Sequence, residues 1–191
     1  YQQAKDYKKI SYNQWGSKTG RLTTKQNSFP ILTLPKTLRS MLVPNNDLFV
    51  ELDYNSAEAR VVLALSGKPQ PTTDIHEHIR QEVYNSKYTR DETKQKVFAW
   101  LYNPKAQNKK LSSYFDKESL LNKYYLDSVI NTPFNRQMVA PEPKALNYLI
   151  QSTASDMFLR QAIRIDKLLE GRKSKIAFCV HDSLVLDFAR E

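Results

Sequence analysis

The chain has 191 residues, of which 29 are Lys or Arg and 20 are Asp or Glu, so its formal net charge at pH 7 is +9. At roughly 100 to 200 residues per domain, this length suits one domain, or one core with an appended part. The basic excess favours a polyanionic partner, although a solvated basic surface would give the same count.

The composition excludes several classes of protein. The single cysteine, Cys179, excludes an intramolecular disulfide framework and a zinc site built from several thiolates. No apolar run approaches the ~20 residues of a membrane span, the mean hydropathy is −0.61, and no apolar signal segment opens the chain. We therefore expect an intracellular, cytoplasmic protein without a membrane partner. Because the chain starts at Tyr1 without a methionine and stops at Glu191 after a strand-like run, we expect a fragment of a larger protein.

The glycines exclude two nucleotide-binding loops. Only four occur, and they are too dispersed for the glycine-rich dinucleotide fingerprint or the phosphate-binding P-loop. A nucleotide would have to be bound by other means.

The first third of the chain predicts loops followed by a strand and a helix. Residues 1–47 are polar and rich in turn signals. Residues 48–52 place alternate apolar side chains on one face and predict a strand with Asp53 at its C-terminal end. Asn55 or Ser56 then predicts the N-cap of a helix over 57–65, with Glu58 near the third position of a capping box.

The remainder predicts mainly helices, with a hairpin at the end. Residues 75–86 and 90–103 predict helices, the second ending before Pro104, and residues 108–130 predict a lysine-rich helical region. Residues 144–169 have the longest helical pattern. Residues 175–180 and 184–188 predict two strands of a hairpin whose tip is His181, Asp182 and Ser183. The chain is therefore predicted to be α+β.

Two aspartates stand at predicted strand ends in otherwise apolar segments. Asp53 and Asp182 would repel each other if the fold paired them, and a divalent cation relieves such repulsion. Oxygen ligands without a Cys/His cluster favour Mg²⁺ over Zn²⁺. Alternatively each aspartate caps a turn, because the sequence alone does not pair them.

A second pattern places two cations and two aromatic residues on one stripe of a helix. Arg90, Lys94, Phe98 and Tyr102 recur every four residues. Phosphates are bound by Arg and Lys, and a base stacks on a flat apolar surface, so the stripe suits a nucleoside triphosphate. Alternatively the aromatic residues belong to a core face whose first turn is charged.

Two histidines are candidate phosphate ligands or proton carriers. His76 follows Asp74 with one residue between them, and His181 is directly followed by Asp182. An isolated histidine more often forms structural hydrogen bonds, so neither residue identifies a site alone.

Six segments carry a resemblance through their order and spacing. They read TGRL at 19–22, LDYNSAEAR at 52–60, DIH at 74–76, RxxxKxxxFxxxY at 90–102, NxxxQSTASD at 147–156 and VHDS at 180–183. In this order they resemble motifs of the polymerase domain of family A DNA polymerases, the group of bacterial DNA polymerase I and several phage replicases. Those motifs include DYSQIELR as motif A, the stripe as motif B, and VHDE as motif C.

The resemblance covers residues 19–188 and implies a fold. It implies a polymerase palm, which is a small antiparallel sheet backed by helices, with a reduced helical fingers region. Residues 1–66 would form the N-terminal part of the palm with motif A, residues 67–135 the fingers-like helices, and residues 136–191 the rest of the palm with motif C. Nothing resembles a thumb or a proofreading exonuclease, so we expect these domains in a longer protein, which a phage or mobile element could encode.

The resemblance also implies catalytic and metal-binding roles. Asp53, Asp182 and the backbone carbonyl of Tyr54 would hold two Mg²⁺ ions, with Mn²⁺ as an alternative. Lys94 would be a proton donor to the leaving pyrophosphate. The reaction would transfer a nucleotide from a dNTP to a primer 3′-hydroxyl.

Substrate contacts follow from the same resemblance. The dNTP would be bound by Tyr54, Glu58, His76, Arg90, Lys94, Phe98 and Tyr102. Among these, Glu58 would exclude a ribose 2′-hydroxyl. Primer–template DNA would be contacted by Arg21, Asn147, Gln151 and His181 without dependence on sequence.

Three positions depart from the family pattern and keep other functions open. Ser183 replaces the glutamate of motif C, Asn103 replaces the glycine after motif B, and Ser152 replaces the glycine after Gln151. One alternative is a polymerase-like module that binds DNA with reduced or lost catalysis. Another is a basic two-metal nuclease, which would shorten a DNA strand instead of extending it.

Overall fold

The structure is a computed structural model that describes residues 9–103 and 105–190. The loop predicted for residues 1–8 and the helix stop predicted at Pro104 lie outside the described residues. The chain divides into two compact units: unit 1 comprises Tyr1–Tyr54 and Ser155–Glu191, and unit 2 comprises Asn55–Ala154. The predicted division into palm and fingers at residues 66 and 135 stays a prediction.

The elements confirm the α+β class. In chain order the described residues form β1 (Tyr12–Asn13), β2 (Thr23–Thr24), α1 (Lys36–Arg39), β3 (Leu48–Asp53), α2 (Ala57–Leu65), α3 (Ile75–Glu82), α4 (Arg90–Tyr102), α5 (Lys109–Tyr114), α6 (Lys117–Tyr124), β4 (Tyr125–Leu126), β5 (Val129–Asn131), β6 (Gln137–Val139), α7 (Glu142–Leu168), β7 (Lys175–Val180) and β8 (Ser183–Phe188). None of the helices in these described ranges combines the length and apolar character needed to cross a membrane.

Unit 1 is built on a three-stranded antiparallel sheet in the order β3-β8-β7. The central strand β8 is buried along most of its length, since it pairs with β3 on one side and β7 on the other. Phe158 of α7 packs against Cys179, Leu184 and Leu186 of the sheet, and all four are buried. The sheet backed by a helix gives its strand ends a rigid position.

Unit 2 contains the helices α2 to α6, the first part of α7 and a second antiparallel sheet in the order β4-β5-β6. One of its core clusters consists of Ile130, Ala140, Ala145 and Leu149. Helix α4 begins at the predicted place because Thr89 and Glu92 form a capping box.

The capping box predicted before α2 is wrong. Ser56 is the N-cap, but its backbone has φ 56° and ψ 50°, and its side chain makes no capping hydrogen bond. Its hydroxyl instead lies 3.2 Å from Nε2 of His76. The Ser56 hydroxyl therefore contacts His76 of α3 and does not form the capping hydrogen bond to the first turn of α2 that the sequence predicted.

The helical region predicted over residues 108–130 is also wrong in part. Asp116, with φ 48°, separates α5 from α6, and residues 125–131 form strands β4 and β5 around Asp127 and Ser128, both at positive φ. Tyr125, Val129 and Ile130 are residue types that favour strands, and packing around the buried Ile130 decides between a strand and the helix that the lysines suggested. Strand β6 was not predicted.

Other boundaries shift by a few residues. Helix α3 ends at Glu82 instead of residue 86, since Asn85 and Ser86 adopt left-handed φ values of 49° and 60°. The terminal hairpin is confirmed, but Ser183 belongs to β8, so its tip is His181 and Asp182 alone.

Candidate active site

Unit 1 brings the two predicted metal carboxylates to one end of its sheet. Asp53 is the last residue of β3 and lies opposite Ser183, the first residue of β8. Asp182 immediately precedes Ser183, in the turn where His181 takes a positive φ of 56°. The strand register therefore brings the two aspartates to the same end of the sheet, as a shared metal site requires.

The electrostatics of Asp53 show that the two carboxylates act on each other. Partial burial raises the pKa of Asp53, and the negative charges of Asp182 and Glu51 raise it further, while a hydrogen bond from the Tyr54 backbone opposes the shift. Repulsion of this kind is relieved when a cation binds between carboxylates.

The donor set fits a hard divalent ion. Asp53 and Asp182 offer carboxylate oxygens, and Tyr54 offers a backbone carbonyl, all ligands that Mg²⁺ or Mn²⁺ accepts. Within the described residues, no group of three or more His, Cys, Asp or Glu side chains is arranged to hold a metal ion. Two carboxylates and a backbone carbonyl can bind a hard divalent ion whose remaining ligands are water or substrate oxygens.

Ser183 occupies a buried position next to these carboxylates. It is 5% exposed, and its hydroxyl lies 2.9 Å from Oε1 of Glu51 and 3.1 Å from the carbonyl oxygen of Val180. The strand β8 thus presents a hydroxyl, not a carboxylate, beside Asp182.

The predicted stripe of α4 lies on the exposed side of the helix. Lys94 is exposed, and Phe98 and Tyr102 are each 38% exposed, whereas the buried residues of the helix are Thr93, Val97, Trp100 and Leu101. The alternative that the stripe is a core face is therefore wrong, because the core face lies beside it.

The two aromatic residues of the stripe form a stacked pair. The ring centroids of Phe98 and Tyr102 lie 5.8 Å apart with an interplanar angle of 17°, and the ammonium of Lys94 lies 5.8 Å from the Phe98 centroid. The exposed surface thus has a cation at one end and flat apolar rings at the other, which suits a phosphate joined to a base.

Arg90 is held by an acidic residue that the sequence analysis did not connect with it. Its guanidinium donates to both carboxylate oxygens of Asp74, at 2.7 and 3.1 Å. Asp74 also caps α3 by accepting hydrogen bonds from the backbone N–H groups of His76 and Glu77. These bonds, led by that from Arg90, lower the pKa of Asp74 to about 2.

His76 is enclosed beside the same helix. It is 1% exposed, Ser56 is 3.2 Å from its Nε2, and its ring lies 6.1 Å from that of Phe98. Burial lowers the pKa of His76, the negative charge of Asp74 opposes this shift, and the positive charges of Arg90 and Lys94 lower the pKa further, so the neutral imidazole is favoured. Its Nδ1 finds no hydrogen-bond partner among the described residues.

The other predicted site residues occupy separate places in the two units. Glu58 lies half-buried in the first turn of α2, and in α7 the Nε2 of Gln151 donates to Oδ1 of Asn147 at 3.2 Å. Arg21 and His181, in unit 1, are exposed.

Two of the three departures also have a defined structural setting. Ser152 is completely buried, with a hydroxyl that is unpaired within the described ranges, and Asn103 is the C-cap of α4.

The contacts of Asp74 with Arg90 and of Glu51 with Ser183 were not predicted from the sequence. Asp74 precedes the apolar start of α3 and is a strong N-cap residue type, so its capping role was detectable. Its ion pair with Arg90 spans 16 positions in the chain and has no local signal. The contact of Glu51 with Ser183 depends on the strand register and likewise has none.

Comparison with solved structures supports a polymerase fold. The chain is similar to the POL domain of Pol1 from M. smegmatis, solved in complex with DNA primer-template and dNTP, with a TM-score of 0.71 and 19% sequence identity. The match covers 95% of this chain and 41% of that one. No protein-family model matches the chain, and no curated protein matches its sequence.

Proposed function

We propose that this chain is part of a family A, template-directed DNA polymerase, which transfers a nucleotide from a dNTP to a primer 3′-hydroxyl. The observation that carries the proposal is the register of β3 and β8, which brings Asp53 beside Ser183 and therefore close to Asp182. The likeness in fold to a polymerase domain over 95% of the chain supports it. Because the chain spans 41% of that neighbour, the activity belongs to the proposal and not to the comparison.

The residues of unit 1 would supply the metal site. Asp53, Asp182 and the carbonyl of Tyr54 would hold two Mg²⁺ ions, with Mn²⁺ as an alternative. When bound, such ions lower the pKa of a primer hydroxyl and stabilise the charge on the departing pyrophosphate. The raised pKa of Asp53 supports this role, since a nearby cation offsets both the partial burial of this carboxylate and its repulsion by Asp182 and Glu51.

The residues of unit 2 would bind the nucleotide. Arg90 and Lys94 would pair with the triphosphate, and Lys94 would donate a proton to pyrophosphate. His76 would act as a neutral hydrogen-bonding group because its pKa is lowered by burial. The Phe98–Tyr102 pair would face the sugar and base, and Glu58 would exclude a 2′-hydroxyl. Arg21, Asn147, Gln151 and His181 would contact primer–template DNA.

Primer extension tests the proposal. A labelled primer annealed to a longer template, with Mg²⁺ and four dNTPs, is expected to be extended by the wild-type chain. Asp53→Asn should slow extension by at least about 100-fold, a loss typical of groups that stabilise transition-state charge. Asp166→Asn, which removes the same charge from an exposed position of α7, should extend like the wild type. Shortening of the primer would favour a nuclease instead.

Ser183 favours one second candidate, a polymerase-like module that binds DNA with reduced or lost catalysis. Its buried hydroxyl stands where the family motif has a carboxylate. This candidate predicts that the chain binds primer–template DNA tightly but leaves the primer unextended in both Mg²⁺ and Mn²⁺.

A further inference from the structure

A third carboxylate lies at the sheet end that carries the proposed metal site. Glu51 precedes Asp53 by two residues in β3, and alternate residues of a strand point to the same face. Both residues are exposed, and both line a cavity of about 380 Å³ in unit 1. The resemblance to family A polymerases gives Glu51 no role.

The neighbouring strand fixes the direction of this carboxylate. Ser183 lies opposite Asp53 in the register of β3 and β8, while Glu51 lies opposite Val185. The hydroxyl of Ser183 nevertheless reaches diagonally to Oε1 of Glu51 at 2.9 Å. The hydroxyl of Ser183 has one proton, and the carbonyl oxygen of Val180 at 3.1 Å competes with Glu51 for it. The shorter distance is to Glu51, and when Ser183 donates to Glu51 it orients the carboxylate.

The contact links two unusual features of the sequence. The position after Asp182 has a serine, so β8 lacks a carboxylate there, and β3 supplies one that bonds to that serine. A carboxylate a few ångströms from a metal site strengthens cation binding through its charge without being a ligand.

We propose that Glu51, oriented by Ser183, supplies the third negative charge of the metal site and replaces the charge that motif C lacks at Ser183. Glu51 acts on the ions through its charge, and Ser183 is a positioning residue for Glu51. This inference rests on the proposed function, because it assumes that Asp53 and Asp182 bind the ions.

Titration of the whole chain with Mn²⁺ alone tests the inference, with free Mn²⁺ measured by its electron paramagnetic resonance signal. Glu51→Gln should weaken Mn²⁺ binding about threefold to tenfold, the range expected for one partly screened charge. Glu170→Gln removes the same charge from an exposed position in unit 1 and should bind like the wild type. Ser183→Ala should cause a smaller loss than Glu51→Gln.

A second variant moves the charge from one strand to the other. Glu51→Ala combined with Ser183→Glu places a carboxylate in β8 and should recover Mn²⁺ affinity to within about twofold of the wild type. Thermal unfolding of every variant separates loss of affinity from loss of fold. If the double variant does not fold, the comparison of Glu51→Gln with Glu170→Gln still decides the matter.

The outcomes distinguish the inference from the function on which it rests. Weaker binding in Asp53→Asn and in Glu51→Gln, but not in Glu170→Gln, supports the inference. Weaker binding in Asp53→Asn together with unchanged binding in Glu51→Gln overturns the role of Glu51 and leaves the metal site standing. Unchanged binding in both Asp53→Asn and Asp182→Asn overturns the metal site and the inference together.

Discussion

At the scale of single residues, two carboxylates of the candidate site, Asp53 and Asp74, have pKa values shifted in opposite directions. Partial burial raises the pKa of Asp53, and the charges of Asp182 and Glu51 raise it further. Hydrogen bonds from Arg90 and from backbone N–H groups lower the pKa of Asp74 to about 2. The negative charge of Asp53 is therefore available to bind a cation. The carboxylate oxygens of Asp74 already accept hydrogen bonds from Arg90 and from the backbone of α3. Each condition has a measurable consequence for stability.

The charge on Asp53 is expected to lower the stability of the metal-free chain. Its folded pKa is raised above the usual 3.8, so its ionisation costs stability as the pH rises through that higher value. Asp53→Asn should therefore raise the melting temperature at pH 7 by about 1 to 2 °C, a small gain because the residue is exposed. Excess Mg²⁺ should raise the melting temperature of the wild type but not that of Asp53→Asn. A lower melting temperature in metal-free Asp53→Asn would contradict this account.

The ion pair of Asp74 should stabilise the chain except in strong acid. Its pKa is lowered from 3.8 to about 2, so its contribution is complete above about pH 4 and is lost as the pH falls through 2. Asp74→Asn should cost about 1 kcal/mol near neutral pH, because asparagine still caps the helix but loses the charged bonds to Arg90.

Urea unfolding between pH 2 and pH 7 measures this effect, with Asp91→Asn as the control. Asp91 lies 3.1 Å from the same guanidinium, but its side chain is 84% exposed, so its removal should change the stability by less than about 0.5 kcal/mol. If wild type and Asp74→Asn lose stability in parallel between pH 4 and pH 2, the ion pair does not have the proposed effect.

At the scale of elements, the sequence predicted those whose signals are local. Alternating apolar residues predicted the strand that ends at Asp53, two apolar runs predicted the terminal hairpin, and a charged first turn followed by a stop before Pro104 predicted the helix over 90–103. All three elements are confirmed. The helix predicted over residues 108–130 was wrong in part because the lysines and scattered apolar residues there are compatible with a helix as well as with a strand. Packing around Ile130 decides the outcome there, and it depends on residues distant in the chain.

The same distinction separates the predictable from the unpredictable part of the candidate site. The four-residue spacing of Arg90 and Lys94 placed both on one side of α4. The contacts of Ser56 with His76 and of Ser183 with Glu51 required the tertiary fold, since they span 20 and 132 positions in the chain. The sequence therefore identified the stripe and the two aspartates, but not the residues that orient or surround them.

Helix α4 offers a matched pair of lysines for testing the stripe. Lys94 lies on it, whereas the ammonium of Lys96 lies 4.2 Å from the ring centroid of Tyr88. Lys94→Ala should raise the KM for dNTP by about tenfold or more, since it removes a charge-assisted bond to phosphate. Lys96→Ala should leave KM within about twofold. Equal effects of the two changes in steady-state primer extension would show that only general positive charge matters.

At the scale of the whole molecule, the net charge of +9 and the polymerase-like fold predict a DNA-binding protein. Neutralisation of phosphates by Lys and Arg releases counterions, so the binding constant depends steeply on salt. If about six phosphates are neutralised, log K for duplex DNA should fall with log salt at a slope near −5.

Fluorescence anisotropy of labelled primer–template DNA across a series of NaCl concentrations measures this slope. A fall in affinity with the expected slope would support a basic surface that contacts the backbone. A flat dependence would remove that surface from the account and leave the charge as a property of the solvated protein alone.

The most direct test of the central claim is the incorporation of one nucleotide opposite each of the four template bases in turn. The chain is expected to add only the complementary deoxynucleotide, and Asp182→Asn should slow that addition by at least about 100-fold while still binding the DNA. Addition that ignores the template base, equal rates for wild type and Asp182→Asn, or no addition at all would contradict the assignment of this chain as a template-directed polymerase.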